Sequence, residues 1–162
     1  MNDRQHCHKQ MHDLLRAEYD CAGKLQLVLA AETEALTQRD MDALERLVGD
    51  KHDLMQNFEA LELRKQQVLE QVGFGRASRG IEACLDWCDD HGQLKRGWQL
   101  LLDRLAQCQH QNRINGATLD SSRRYAQQAL SILRGESAPV SLYNPTGAST
   151  SGHDSGRSLA KA

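Results

Sequence analysis

Two groups of side chains have the types and spacing to do chemistry. Near the N-terminus, His6, Cys7, His8 and His12 crowd together, with His8 and His12 one helical turn apart. Farther along, Cys84, Cys88 and His91 recur at helical spacing, with Asp90 beside them. Thiolate, imidazole and carboxylate are the ligands that zinc accepts. Neither group has a paired CxxC spacing, however, and Cys84 and Cys88 coincide with the apolar face of a short helical pattern. Cysteine serves well as a small core residue there. Core packing is therefore the expected role, and no metal ligand or cofactor is assigned.

Signatures of catalysis are missing. The chain has no HExxH, no P-loop and no G-x-S-x-G, and Gly73-Phe74-Gly75 lacks a third glycine at dinucleotide spacing. It also has no Glu-x-x-His pair, which removes the di-iron helix-bundle enzymes. The expectation is a protein that is not an enzyme, with no catalytic residues. Arg113, Arg123, Arg124 and Arg134 form a mildly basic stretch in which Tyr125 is the one aromatic residue, too little for base stacking. With a formal net charge of -2, no nucleic-acid partner is expected.

These side chains must be held by elements that the composition narrows to helices. Of the 162 residues 40% are hydrophobic but only 4% aromatic, and only two are prolines, so the core is built from Leu, Val, Ala and Met. Residues 1–10 are polar, with no signal-peptide core after them. The most apolar run, residues 25–31, is interrupted by Gln26 and far short of a membrane span, so no direct membrane insertion is expected. Five cysteines, an odd number inside helical patterns, fit a reduced, cytoplasmic protein.

Leu14, Leu15, Cys21, Ala22, Leu25, Val28, Leu29 and Leu36 recur at helical intervals, predicting a first helix over residues 5–36. Thr37-Gln38-Arg39-Asp40 breaks the pattern and offers two N-cap side chains, Thr37 and Asp40. In the second helix Leu44, Leu47, Lys51, Leu54, Phe58, Leu61, Lys65, Val68 and Val72 alternate in steps of three and four, the period of a supercoiled seam. Gly73-Phe74-Gly75 ends it, and a short amphipathic helix follows over 78–89, with Ile81, Cys84, Leu85 and Cys88 on one face. A third long helix is expected over 93–134. The fold class is all-α: an elongated antiparallel three-helix bundle or coiled coil with one short accessory helix. Residues 1–135 form the bundle, and the polar residues 136–162 form a disordered C-terminal tail.

The third long helix changes character midway. Its seam runs from Leu94, Trp98, Leu101, Leu105 and Cys108 into Asn112, Asn115, Leu119, Ser122, Ala126, Ala129 and Leu133. One reading is a polar layer that sets the register of an ordinary coiled coil. The other is a partly open groove that a helix of another chain completes. In the tail, Leu142-Tyr143 is the one plausible anchor for recognition.

The chain resembles the FlgN-type flagellar export chaperones. The residues that carry the resemblance are Asn112-x-x-Asn115-Gly116, Gln127-Gln128-Ala129-Leu130 and Ile132-Leu133, then Ser141-Leu142-Tyr143 and Gly147 in the tail. Lys51-x-x-Leu54-x-x-x-Phe58-x-x-Leu61-Glu62 on the second helix is a looser match. The resemblance implies a cytoplasmic chaperone, working without ATP, that binds C-terminal helical segments of the hook-associated (hook–filament junction) proteins. It would keep them unassembled and deliver them to the cytoplasmic domain of the flagellar type III export gate. Client contact would fall on Asn112, Asn115, Leu119, Ala126, Leu130 and Leu133, and gate docking on Leu142 and Tyr143. A structural coiled-coil scaffold without a secretion client is the alternative, and the oligomeric state stays open.

Overall fold

The structure, a computed structural model, describes residues 2–75 and 78–135. Four helices account for nearly all of them: α1 (Asn2–Gln38), α2 (Met41–Gln71), α3 (Ser78–Cys88) and α4 (Gln93–Leu133). No strand occurs among the described residues. The chain forms two compact units, Met1–Leu119 and Asp120–Ala162.

In the first unit, α1 is longer at both ends than its apolar periodicity predicts. Thr37 does not cap a following helix; it lies inside α1, its hydroxyl donating to the Thr33 carbonyl at 2.9 Å. Arg39 turns the chain out with a left-handed φ of 57°. The Asp40 N–H then donates to Ala35 O at 2.9 Å and the Arg39 N–H to Leu36 O at 3.4 Å, a Schellman ending that normally selects glycine. Asp40, extended at φ -82°, caps α2 by accepting from the Ala43 N–H at 3.0 Å. So tight a turn sends α2 back antiparallel to α1.

The end of α2 repeats this geometry with glycine in place. Gly73, at φ 83°, donates to Glu70 O at 3.1 Å, and Phe74 donates to Leu69 O at 2.9 Å. Phe74 folds onto the same core that buries Leu69, the apolar contact that accompanies a Schellman motif. Gly80 lets α3 approach this turn, because a Cβ there would sit 2.6 Å from the Phe74 carbonyl oxygen. Ile81, Cys84, Leu85 and Cys88 are all buried, the face that periodicity predicts. Asp89 starts α4, its two carboxylate oxygens accepting from the N–H groups of Gln93 and Lys95 at 3.0 Å each. Burial opposes ionisation of Asp89, yet the Lys95, Gln93 and Leu94 amides hold its carboxyl below the ordinary carboxylate range.

Two apolar clusters hold these helices together. One gathers Met11, Leu14, Leu15, Ala22, Val68, Leu69, Leu85, Leu94 and Leu101 with the α3 face; the other joins Cys21, Leu25, Leu29, Leu54 and Cys108. Cross-helix bonds give the register of α1 against α4. Cys108 reaches the Ala22 carbonyl, Asn115 the Leu29 carbonyl, and Thr33 bonds to Asn115. These pairs lie 86, 86 and 82 residues apart, so α1 and α4 run in the same direction.

In the second unit the described residues continue α4 to Leu133. Arg134 donates to Leu130 O and Gly135 to Ile132 O, each at 3.0 Å, and Gly135 adopts φ 69°. The helix therefore stops at Arg134-Gly135, as its sequence predicts. Residues 136–162, with the expected tail and its Leu142 and Tyr143, lie outside the described residues.

Candidate functional site

Three of the residues that carry the resemblance, Lys51, Asn112 and Asn115, meet in one polar layer across three helices. Asn115 on α4 is buried and donates one amide hydrogen to Leu29 O at 2.9 Å and the other to Glu32 Oε2 at 2.7 Å. Its Oδ1 accepts from Thr33 Oγ1 at 2.8 Å and from Gln111 Nε2 at 3.1 Å. From α2, Lys51 Nζ donates to Glu32 Oε1 at 2.8 Å and to Asn112 Oδ1 at 2.9 Å. Such a layer is satisfied in one register only, because a one-turn slip would strand a carboxylate and an ammonium. Asn112 and Asn115 thus have their side-chain amides engaged with α1 and α2, the arrangement that the register-setting reading describes. Their partners Glu32 and Thr33 were missed in the sequence. The available signal was a pair of polar residues inside the apolar face that runs through Leu29 and Leu36.

A second seam lysine of α2 is also paired. Lys65 Nζ lies 2.8 Å from Glu18 Oε1 and 2.6 Å from Glu62 Oε2, and 5.1 Å from the centroid of the Trp98 ring. Glu18 Oε2 is buried with no hydrogen-bond partner. Burial raises the Glu18 carboxyl above its ordinary value, and the hydrogen bond and charge of Lys65 offset only part of that.

The described helix of the second unit has no buried side chain from Asp120 to Gly135. Tyr125, Leu130, Ile132 and Leu133 are 73%, 51%, 69% and 83% exposed, which leaves large apolar surface in water. At roughly 100° per residue, Ile132, Tyr125, Ala129, Leu133, Ala126 and Leu130 fall on one arc of about 160°. Asp120, Arg124 and Gln128 lie on the opposite side of that helical wheel. The sequence reading placed Ala126, Leu130 and Leu133 on this arc but missed Tyr125 and Ile132, because it followed a single 3.5-residue seam. Leu119, the last residue of the first unit, is half exposed, and so is Ile114.

At the other end of the first unit, the two metal-capable groups of the sequence exchange members. Cys7 from α1 joins Cys84 and Cys88 from α3, with all three sulfurs within 4.8 Å of one another and Cys7 Sγ 3.5 Å from Cys84 Sγ. All three side chains are buried, and burial pushes the thiols up to about 12, 11 and 12 for Cys7, Cys84 and Cys88. His8 is half-buried beside them, whereas His6, His12 and His91 are exposed. Cys21 and Cys108 are buried separately, in the second apolar cluster.

The described helices include none long and apolar enough to cross a membrane. A family model described as FlgN protein matches residues 7–151, most of the chain. No curated protein and no solved structure matches it.

Proposed function

This chain belongs to the FlgN family, the flagellar export chaperones, and from that membership we propose that it holds the C-terminal helical segments of hook–filament junction proteins. The observation that carries the reading is the exposed apolar arc of the second unit. A helix of about a dozen residues with no tertiary burial is marginal in water. Tyr125, Leu130, Ile132 and Leu133 are also too large and too exposed to be incidental on one short segment. An amphipathic client helix laid against them would bury both apolar faces and hide the client from self-assembly.

The client face in this proposal is Ala126, Leu130 and Leu133, with Leu119 as a further contact. Asn112 and Asn115, expected as client contacts, have their amides engaged with α1 and α2 and fix the register of α4 within the first unit. Leu142 and Tyr143, outside the described residues, dock the loaded chaperone on the cytoplasmic domain of the export gate. The work takes place in the cytoplasm and includes no catalytic step and no ATP.

Isothermal titration of the full chain with a synthetic C-terminal peptide of a junction protein tests the reading. Saturable binding, lost when Leu130→Asp and Leu133→Asp are combined, supports it. Binding that ignores this double change would place the client elsewhere, and no binding at all would favour a scaffold.

A further inference from the structure

We propose that Cys7, Cys84 and Cys88 form a zinc site that clasps the N-terminal end of α1 to α3. The reading is independent of the client proposal, because it concerns other residues and a different chemistry. Three thiols from two helices converge until every sulfur pair is within 4.8 Å, with one pair at 3.5 Å. A zinc–sulfur bond of about 2.3 Å requires sulfur–sulfur separations of about 3.8 Å in a tetrahedron and about 4.0 Å in a plane. The trio therefore stands close to the separations that an ion needs.

The surroundings suit the same ion. A cleft of about 350 Å³ reaches Cys88 from outside and is lined by Arg4, Gln5, His8, Asp90 and His91, so the fourth coordination position has an entry path. His8 Nδ1 lies 3.0 Å from the Cys88 carbonyl, which can only accept. His8 is not among the converging ligand atoms, which are the three thiols alone. Zn²⁺ with three thiolates carries a net charge of -1, while Arg4 at the cleft is already paired with Asp90. Binding one Zn²⁺ releases three thiol protons to solvent, forms three Zn–S bonds and changes no oxidation state.

Apolar packing alone would be served by alanine or valine, with no need for three sulfurs to meet. The ion would join α3 to the first turns of α1. A chaperone clasped there would carry its α2–α3 turn as a rigid end, and chelation would loosen that end first.

Full-length protein, purified in reductant and stripped with a chelator, is titrated with Co²⁺ and then Zn²⁺. One Co²⁺ per chain is expected, with a near-ultraviolet thiolate-to-cobalt charge-transfer band that one equivalent of Zn²⁺ removes. Cys7→Ser, Cys84→Ser and Cys88→Ser should each abolish the band, while Cys21→Ala and Cys108→Ala keep it. The wild-type titration is decisive even where a serine variant misfolds. Cobalt bound without the band would assign it to the histidines, and no stoichiometric uptake would make the trio simple packing; either result overturns the proposal.

Discussion

Asn115 donates to the main-chain carbonyl of Leu29 across 2.9 Å, tying α4 to α1 beside the buried Leu29 side chain. With Glu32, Thr33, Lys51, Gln111 and Asn112 this contact closes a network in which Asn115 uses both hydrogens and its oxygen.

Asn115→Ala should cost about 1–3 kcal/mol, because it removes two acceptor contacts and leaves Glu32 buried with fewer donors. Urea unfolding followed by circular dichroism would measure this. Asn115→Leu should keep the helical content but loosen the register, giving broader backbone NMR signals around residues 29–33. An unchanged midpoint in both variants would mean that water replaces the amide freely.

The Lys65–Glu18 pair predicts a contrast between breaking it and replacing it. Lys65→Met alone leaves Glu18 without its main partner and should cost roughly 3–5 kcal/mol. Lys65→Met with Glu18→Leu should recover most of that loss, since both buried charges are then gone. A double variant no more stable than the single one would show that the unpaired Glu18 is not the source of the loss.

Glu18 also makes a pH prediction. Its folded carboxyl lies above the ordinary value, so its contribution is fully present below the unfolded pKa and is lost as pH rises through the folded one. Glu18→Gln should therefore gain on the wild type as pH rises from 4 toward neutrality. Denaturation midpoints of the two proteins across that range would show the crossing trend, and parallel curves would contradict it.

Arg39 holds a left-handed conformation that costs a side-chain-bearing residue roughly 1–2 kcal/mol. Arg39→Gly removes this strain at the α1–α2 turn while adding unfolded-state entropy, so a net gain of several tenths of a kcal/mol is expected. A thermal midpoint lower than that of the wild type would mean that the Arg39 side chain contributes a contact of its own.

Holding and delivery should separate by mutation. Leu130→Asp should weaken binding to the junction-protein peptide at least tenfold while leaving free-state helicity unchanged, because Leu130 is half exposed before binding. Tyr143→Ala should keep peptide affinity and lose binding to the gate domain, read by co-sedimentation. A Tyr143→Ala protein that fails to bind the peptide would place the tail in the client contact.

Periodicity alone determined the helices, because apolar residues every three or four positions admit no other burial. Glycine and Asp40 placed the ends of α2, and the α3 face from Ile81 to Cys88 was legible for the same reason. The family was legible too, through the Asn112-x-x-Asn115-Gly116 pattern and the motif around Lys51. What those residues touch was not. Whether Asn115 faces a client or a neighbouring helix depends on the parallel offset between α1 and α4, which no local pattern encodes. Thr37 looked like a cap but lies inside α1, because Arg39 accepted the left-handed turn that a glycine would have marked. The cysteines divided by sequence distance into two groups. Only packing α3 across the start of α1 brought Cys7 to Cys84, seventy-seven residues away. Short-range spacing sets which face an element buries; the register between elements decides which side chains meet on it.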